Sequence, residues 1–361
     1  MHTIIKWPGG KSGEIDKIKE LIPEFDRYIE PFFGGGAVFF NLTPKCSIIN
    51  DVSPMLMKFY ELVKTQDNDM YKLLIAYNES FQSLLDSADN LYSQILSAFT
   101  KNMDSNNIES LVKSVINNAK LPNSLILNAN NFFETLCKMV KDKFQRTFKN
   151  NSKTALSESD LKDNLLTGFA SGYYIHFRNI YNKIALREID VSVPYMIANF
   201  YFIREYCYGS MFRYNSHKEF NIPYGGISYN KKNFLAKINA MFNKDIENLF
   251  SKCTLYNMDF EDLLSNINLT AKDFIFLDPP YDTEFSDYEG RAFTKDDQTR
   301  LSQVLKKIPA QFILIIKNTD FIFNLYKDNF RIITFDKNYT YNVRSRNVRN
   351  TEHLIITNIP K

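Results

Sequence analysis

Cysteine is scarce: four residues in 361, at Cys46, Cys137, Cys207 and Cys253, with no CxxC spacing. That pattern leaves no disulfide framework and no zinc site, so no metal is expected, and it fits a reducing compartment. Long apolar runs are missing too. No window approaches the roughly 18 uncharged residues of a spanning helix, and "MHTIIKWPGGKSG" turns glycine-rich before a secretory h-region develops. A cytoplasmic protein with no membrane association is the expectation. Charge of one sign is lacking: Lys+Arg of 44 against Asp+Glu of 41 gives +3. Bulk charge therefore says little about nucleic acid, and only local clusters can. There is no GxGxxG, and no Lys-Ser/Thr follows a glycine loop, which argues against NAD and ATP. Internal repeats and low-complexity tails are also absent.

What is present is a globular composition, 44% apolar and 24% charged, on a chain too long for one ordinary core. A large domain plus a smaller one is expected. Both ends read as α/β. "RYIEPFFGGGAVFFNL" and "CSIINDVSPMLMKFYELVK" each run strand then helix, with Ser53-Pro54 as a helix start. "DFIFLDPPY" and "QFILIIKN" read as buried strands, with a helix from "TKDDQTRLSQVLKKI" between them. "RIITFD" and "HLIITN" predict an antiparallel pair closing the sheet. From about residue 65 to 170 the Gly and Pro signals thin out. Leu74, Tyr77, Phe81 and Leu84, then Leu91, Ile95 and Phe99, recur at helical spacing. One α/β sheet is thus split by a helical insertion, which is expected beside its carboxyl edge, where open α/β sheets bind ligands.

Three glycines follow a strand in "EPFFGGGAVFF". Without Cβ atoms a ligand can sit against such a turn, at a helix N-terminus. Asp51 ends the next strand in "IINDV", where nucleoside-binding α/β folds hold a ribose diol. Together they favour a nucleoside ligand without phosphates, although a tight strand–helix turn explains the glycines equally well. In "KWPGGKSG" the only Trp sits beside Pro-Gly-Gly and two lysines. A ring there can cover a ligand while a lysine neutralises a carboxylate; the plain alternative is an N-terminal loop.

The stiff corner is "FIFLDPPYDT". Asp278 and the Pro279 carbonyl are two acceptors on a backbone that Pro279-Pro280 cannot flex. Two acceptors aimed at one point can hold both hydrogens of an exocyclic amine. Held out of plane, its nitrogen moves towards sp³ and its lone pair is freed for attack. The Asp278 carboxylate then stabilises the positive charge that develops. Tyr281 offers a face for stacking the base, and a base inside a duplex must be flipped out to reach it. The bland alternative is a strand end with a Pro-Pro turn.

Two further segments concentrate cations, the first of them among aromatics. "REYCYGSMFRYNSHKEFNIPYGGISYNKKNF" carries Arg204, Arg213, His217, Lys218, Lys231 and Lys232 among tyrosines and phenylalanines. Cations fit phosphates, Arg fits guanine, and aromatics fill a vacated stack. "NVRSRNVRN" concentrates Arg344, Arg346 and Arg349. A solvated loop is the alternative for each.

In this order, "KWPGGK", "EPFFGGGAVFFNL", "NDVSP" and "DPPY" resemble the Dam-type (α-group) DNA adenine-N6 methyltransferases. "YYIHFRNIYN", the 200–225 segment and "KNYTYNVRSRNVRNTEHLIITN" are similar to that family's target-recognition region and C-terminal loop. The resemblance implies a Rossmann-like methyltransferase sheet with an antiparallel last strand, carrying a mainly helical inserted target-recognition domain. It implies S-adenosylmethionine (SAM) as methyl donor and duplex DNA as substrate. Residues 1–65 and 250–361 would form the catalytic domain, and 66–249 the insertion and recognition domain, with a DNA-reading hairpin at about 204–233.

Carried over by residue, Trp7 and Lys11 belong to the SAM site, with Lys6 nearby and on a base. Glu30, Phe32, Gly34, Gly35 and Gly36 form the turn under the methionine part. Asp51 holds the ribose, and Asp259 with Phe260 lies by the cofactor adenine. Asp278, Pro279, Pro280 and Tyr281 hold the target adenine. Arg178 contacts phosphate, Tyr208 wedges into the stack and Arg213 reaches a base edge. Asn215, Asn221 and Pro223 complete the DNA-binding hairpin, and Arg344 and Arg346 grip DNA from the tail. The stretch from about 68 to 166 is an extra helical insertion beside the compact members. Gly226 stands where GATC-reading members carry a basic residue, which argues against a GATC site. The expected setting is bacterial or phage-encoded: a monomer, orphan or sharing its site with a restriction endonuclease without a stable complex. Two alternatives stay open, a SAM enzyme acting on another planar amine and a DNA-binding module on an inactive fold.

Overall fold

The computed structural model describes residues 1–8, 10, 13–101, 105–210, 213–280, 293–338 and 350–360. The chain divides into two compact units, one joining Met1–Thr65 to Lys244–Lys361 and the other Gln66–Asn243.

The first unit is built on a sheet of β1 (Arg27–Glu30), β2 (Ser47–Asn50), β3 (Cys253–Tyr256), β4 (Asp273–Leu277), β5 (Gln311–Lys317), β6 (Arg331–Asn338) and β7 (Asn350–Thr357). Their spatial order is β3-β2-β1-β4-β5-β7-β6. The first five are mutually parallel. β7 runs antiparallel between β5 and β6, so the last strand is antiparallel as the sequence predicts. The chain leaves β1 in one direction towards β3 and in the other towards β5. Strand order therefore reverses between β1 and β4, and ligands of open α/β sheets bind beyond the carboxyl ends at such a point.

β4 and the centre of β5 are buried on both faces, hence their unbroken apolar runs. Alternate residues separate to the two faces. Tyr28 packs with Phe274 and with Phe39, which meets Phe250. Ile29, Ile275, Leu277, Phe312 and Leu314 face the other way, onto Leu301, Leu305 and Tyr326. At the amino ends Arg27 Nε and Nη2 donate to Asp273 Oδ1 and Oδ2, each at 2.8 Å, a fork that aligns β1 with β4. The helix Pro54–Lys64 starts as its sequence predicts: Ser53 Oγ accepts the Leu56 amide and Pro54 opens the first turn.

The second unit is helical. Its long helices Asn68–Asn90, Ala129–Asn151, Glu158–Ala185 and Val193–Tyr206 each begin at a side-chain cap, from Asp67, Asn128, Ser157 and Ser192. Leu74, Tyr77, Phe81 and Leu84 are buried at the expected spacing, while Leu91 is only half-buried. Gly172 lets two helices close up, since a Cβ there would stand 2.6 Å from Leu136 Cδ2. A polar network crosses the core: Asn199 Nδ2 donates to Tyr77 Oη at 3.0 Å and to the Phe177 carbonyl at 3.1 Å. Among the described residues, no helix is long and apolar enough to cross a membrane and no cluster of potential ligands could hold a metal.

Candidate active site and nucleic-acid interface

Beyond the carboxyl ends of β1, β2 and β4 lies a cavity of about 420 Å³, within the range of small-molecule sites. Its lining contains Trp7, Glu30, Phe32, Gly34, Gly35, Gly36, Asp51, Asp259, Phe260, Asp278, Pro279 and Pro280. Of the residues assigned to cofactor and catalysis, only Lys11 and Tyr281 are not among them, and both lie outside the described residues. Lys6 is half-buried and is not a lining residue.

The glycine turn is shaped by protein as much as by any ligand. Gly34 has φ +50°, and a Cβ on it would stand 2.8 Å from Trp7 Cδ1. The Trp7 ring therefore covers the turn from one side, a contact that the sequence motif had assigned to a ligand. Tyr60 Oη donates to the Gly34 carbonyl at 3.0 Å and fixes the turn from behind.

Asp51 follows β2. Its Oδ2 accepts the Gly34 amide and its Oδ1 the Ser53 amide, each at 2.9 Å, so backbone on both sides orients the carboxylate. One residue earlier, buried Asn50 joins three strand ends. Its Nδ2 donates to the carbonyls of Pro31 at 2.9 Å and Met258 at 3.0 Å, while its Oδ1 accepts the Met258 amide at 3.0 Å. Glu30 is buried and accepts the Tyr28 hydroxyl at 2.7 Å. Burial drives its carboxyl well above the usual carboxylate range; the Tyr28 bond opposes this, and the charges of Asp278 and Asp51 add to it.

On the β3 side, Phe32 and Phe260 lie 5.4 Å apart between ring centres, and both pack against Phe293. These rings form an aromatic wall suited to a purine. Asp259 caps the helix Phe260–Asn266 and accepts Arg300 Nη2 at 2.6 Å. Arg300 also donates to Glu261 at 2.7 Å and Asp297 at 2.8 Å, with its guanidinium over the Phe260 ring. The Glu261 bond chiefly, with those to Asp259 and Asp297, raises the Arg300 pKa against the effect of burial.

Asp278 leaves β4 half-buried, and Pro279 is buried. Gln298, in the first turns of the helix Lys295–Leu305, donates Nε2 to the Pro280 carbonyl at 3.1 Å. Asn50, Tyr60, Gln298 and Arg300 escaped the sequence reading. Gln298 left one clue: with Leu301 and Leu305 it lies on the buried face of its helix, where a polar side chain needs a partner.

Of the residues assigned to DNA, Arg178, Tyr208, Arg213, Asn215, Asn221 and Pro223 belong to the second unit. The described residues within 206–225 pair as an irregular antiparallel hairpin, with bridges Cys207–Tyr224 and Tyr214–Phe220. The Tyr208 amide donates to the Pro223 carbonyl at 2.9 Å and the Asn221 amide to the Arg213 carbonyl at 3.4 Å. Tyr208 is exposed, as is Arg213. Asn215 shapes the tip: its Oδ1 accepts the amides of His217 and Glu219. The "YYIHFRNIYN" stretch braces the hairpin. Asn182 pairs with both the carbonyl and the amide of Phe220, Tyr174 Oη donates to the Ile222 carbonyl, and Arg178 Nη1 donates to the carbonyls of Asn221 and Ile222. Arg204, counted among the phosphate-seeking cations, is a buried core residue over the Phe200 ring. Lys232 is engaged by Glu205. Arg344, Arg346 and Arg349 lie outside the described residues.

The chain matches the family model of the D12 class N6 adenine-specific DNA methyltransferases over residues 7–163 and 114–341. It is 24% identical over 364 residues to the Type II methyltransferase M.CviBI of Paramecium bursaria Chlorella virus NC1A, covering 99% of this chain and 100% of the relative. With the Type II methyltransferase M.MjaIII of Methanocaldococcus jannaschii it shares 25% over 346 residues, 91% of this chain and 88% of the other. The DNA adenine methylase of Vibrio cholerae serotype O1 is 22% identical over 326 residues, 88% of this chain and 82% of that protein.

Proposed function

The chain belongs to the D12 class of N6 adenine-specific DNA methyltransferases, and we propose that its cavity holds SAM beside a flipped-out adenine. The observation that carries this is the shared lining: the glycine turn, Asp51 and the Asp278-Pro279-Pro280 corner border one space. The residues present fit that donor. Asp51, oriented by two backbone amides, suits a ribose diol, and the Phe32, Phe260 and Phe293 rings suit a purine with Asp259 at its edge. The Gly34–Gly36 turn under Trp7 suits the amino-acid part.

SAM supplies, when bound, a methyl group on a sulfonium that an amine lone pair can take, leaving a neutral thioether. The protein's share is to make that lone pair available. Asp278 and the Pro279 carbonyl accept the two N6 hydrogens and draw the nitrogen out of conjugation. As N6 gains positive charge, the Asp278 carboxylate stabilises it. Tyr281 stacks on the base and holds it out of the helix.

In the second unit the 206–225 hairpin is the DNA reader, with Tyr208 filling the vacated stack and Arg213 reaching a guanine edge. Arg178, Asn215, Asn221 and Pro223 shape or flank that hairpin, and Lys6, Arg344 and Arg346 add contacts to DNA. Gly226, in place of a cation, favours a site other than GATC. The protein acts as a cytoplasmic monomer, in a restriction–modification, phage or orphan setting. Single-molecule sequencing of DNA from cells expressing the chain tests this. N6-methyladenine at one recurring non-GATC motif is expected; modified cytosine, or unmodified DNA, would contradict it.

A further inference from the structure

The acceptor corner has a weakness that its prolines create. Pro279 and Pro280 have their φ angles locked, but neither has an N–H with which to tie itself to a neighbour. Asp278 and Pro279 each precede a proline, which restricts their ψ as well, so the corner turns as a stiff unit and its aim depends on what holds its end. At that end Gln298 Nε2 donates to the Pro280 carbonyl at 3.1 Å. Gln298 is 0% exposed. Its Oε1 is buried too and meets no donor among the described residues. A buried amide with half its capacity unused is costly for stability alone. The helix that carries it is held rigidly. Thr294 and Asp297 close a capping box at its start, and Arg300 ties it to Asp259 on the far wall of the cavity.

We propose that Gln298 is a positioning residue for methyl transfer, fixing the Pro280 carbonyl and through it the aim of the Asp278 and Pro279 acceptors. Gln298 is not a lining residue of the cavity, so it acts through the corner and not on the base. The proposal rests on the adenine-N6 activity described above. It also assigns the first turns of the helix Lys295–Leu305 a second task, since the same segment steadies the Asp259 wall through Arg300.

Two variants separate positioning from bulk structure. Gln298→Met keeps length and burial but cannot donate. Gln298→Glu keeps shape and donates to a carbonyl only while its carboxyl is protonated. Single-turnover methylation of duplex DNA is measured with saturating SAM, alongside SAM affinity and the unfolding midpoint. Q298M should slow transfer about ten- to a hundredfold, as expected when reacting groups are misaimed, with SAM affinity unchanged. Q298E should regain activity relative to the wild type as pH falls from about 8.5 to about 6, because burial favours the protonated acid, whereas the Q298M ratio should stay flat. Wild-type rates in both variants would overturn the proposal. So would a slow Q298E whose ratio ignores pH, or a loss confined to SAM affinity. If Q298M fails to fold, the Q298E profile decides alone. A wild-type protein that leaves adenine unmethylated would sink the proposed function instead, so the two failures are distinct.

Discussion

Asp51 accepts the amide hydrogen of Gly34 at 2.9 Å, joining the acid at the tip of β2 to the glycine turn after β1. The acid is thus part of the turn's own architecture as well as a candidate partner for a ribose. Asp51→Ala should weaken SAM binding by about 1.5–3 kcal/mol, the range for losing a charged acceptor, and leave DNA affinity less affected. Calorimetry would check it. Unchanged SAM affinity would assign Asp51 to the turn alone.

Gly34 meets Trp7 so closely that the pair can be tested together. Gly34→Ala places a methyl group 2.8 Å from Trp7 Cδ1 at φ +50°. Strain of about 1–3 kcal/mol and a displaced indole are expected. Trp7 is the only tryptophan, so its emission reports the displacement directly, and thermal unfolding reports the strain. A variant matching the wild type in both would contradict the packing described.

Glu30 gives the fold a pH dependence of definite sign. Its carboxyl titrates well above the usual range in the folded state, chiefly through burial, against about 4.3 unfolded. Between those values the native state binds more protons. Glu30 therefore contributes stability that is fully present below the unfolded value and is lost as pH rises through the folded value. Glu30→Gln, which can still accept from Tyr28, should gain on the wild type as pH rises from about 5 to about 9. Urea unfolding at several pH values measures the difference. A constant offset would mean that Glu30 titrates normally.

Arg213 is exposed on the hairpin, its carbonyl paired with the Asn221 amide. Arg213→Ala should relax discrimination at one base pair by about 1–3 kcal/mol. Substituting Arg344 or Arg346 should instead weaken binding to all sequences and lower the salt slope by about one unit. Methylation rates on single-base variants of the mapped site would tell these apart. Uniform slowing by Arg213→Ala would show that it reads no base.

Much of this was legible in the sequence, for physical reasons that differ by element. β4 and β5 announce themselves because central parallel strands are apolar on both faces, and Ser53-Pro54 because caps are local chemistry. The edge strand β3, four residues with one face in solvent, carries too little pattern to be seen. Asn50 was invisible because its partners Pro31 and Met258 come into reach only in the folded unit, as does the Asp259 partner of Arg300, and Gln298 left only its place on a buried helix face. Arg204 misled for the opposite reason. The helix Val193–Tyr206 is buried nearly all round, so a cation beside aromatics signalled core packing and not a surface. At the glycines the expected close neighbour was a ligand, whereas the atom that a Cβ on Gly34 would meet belongs to Trp7.

Methyl transfer to adenine N6 at the Asp278 corner is tested most directly by nucleoside analysis. Purified wild-type and Asp278→Ala protein are incubated with labelled SAM and mixed duplex DNA, and the digested nucleosides are separated. The wild type should place label in N6-methyl-2′-deoxyadenosine alone. Asp278→Ala should bind SAM normally and transfer about a hundredfold more slowly or worse, as when one preorganised electrostatic partner is lost. Label in N4-methylcytosine, or near-normal turnover by the Asp278→Ala protein, would contradict it.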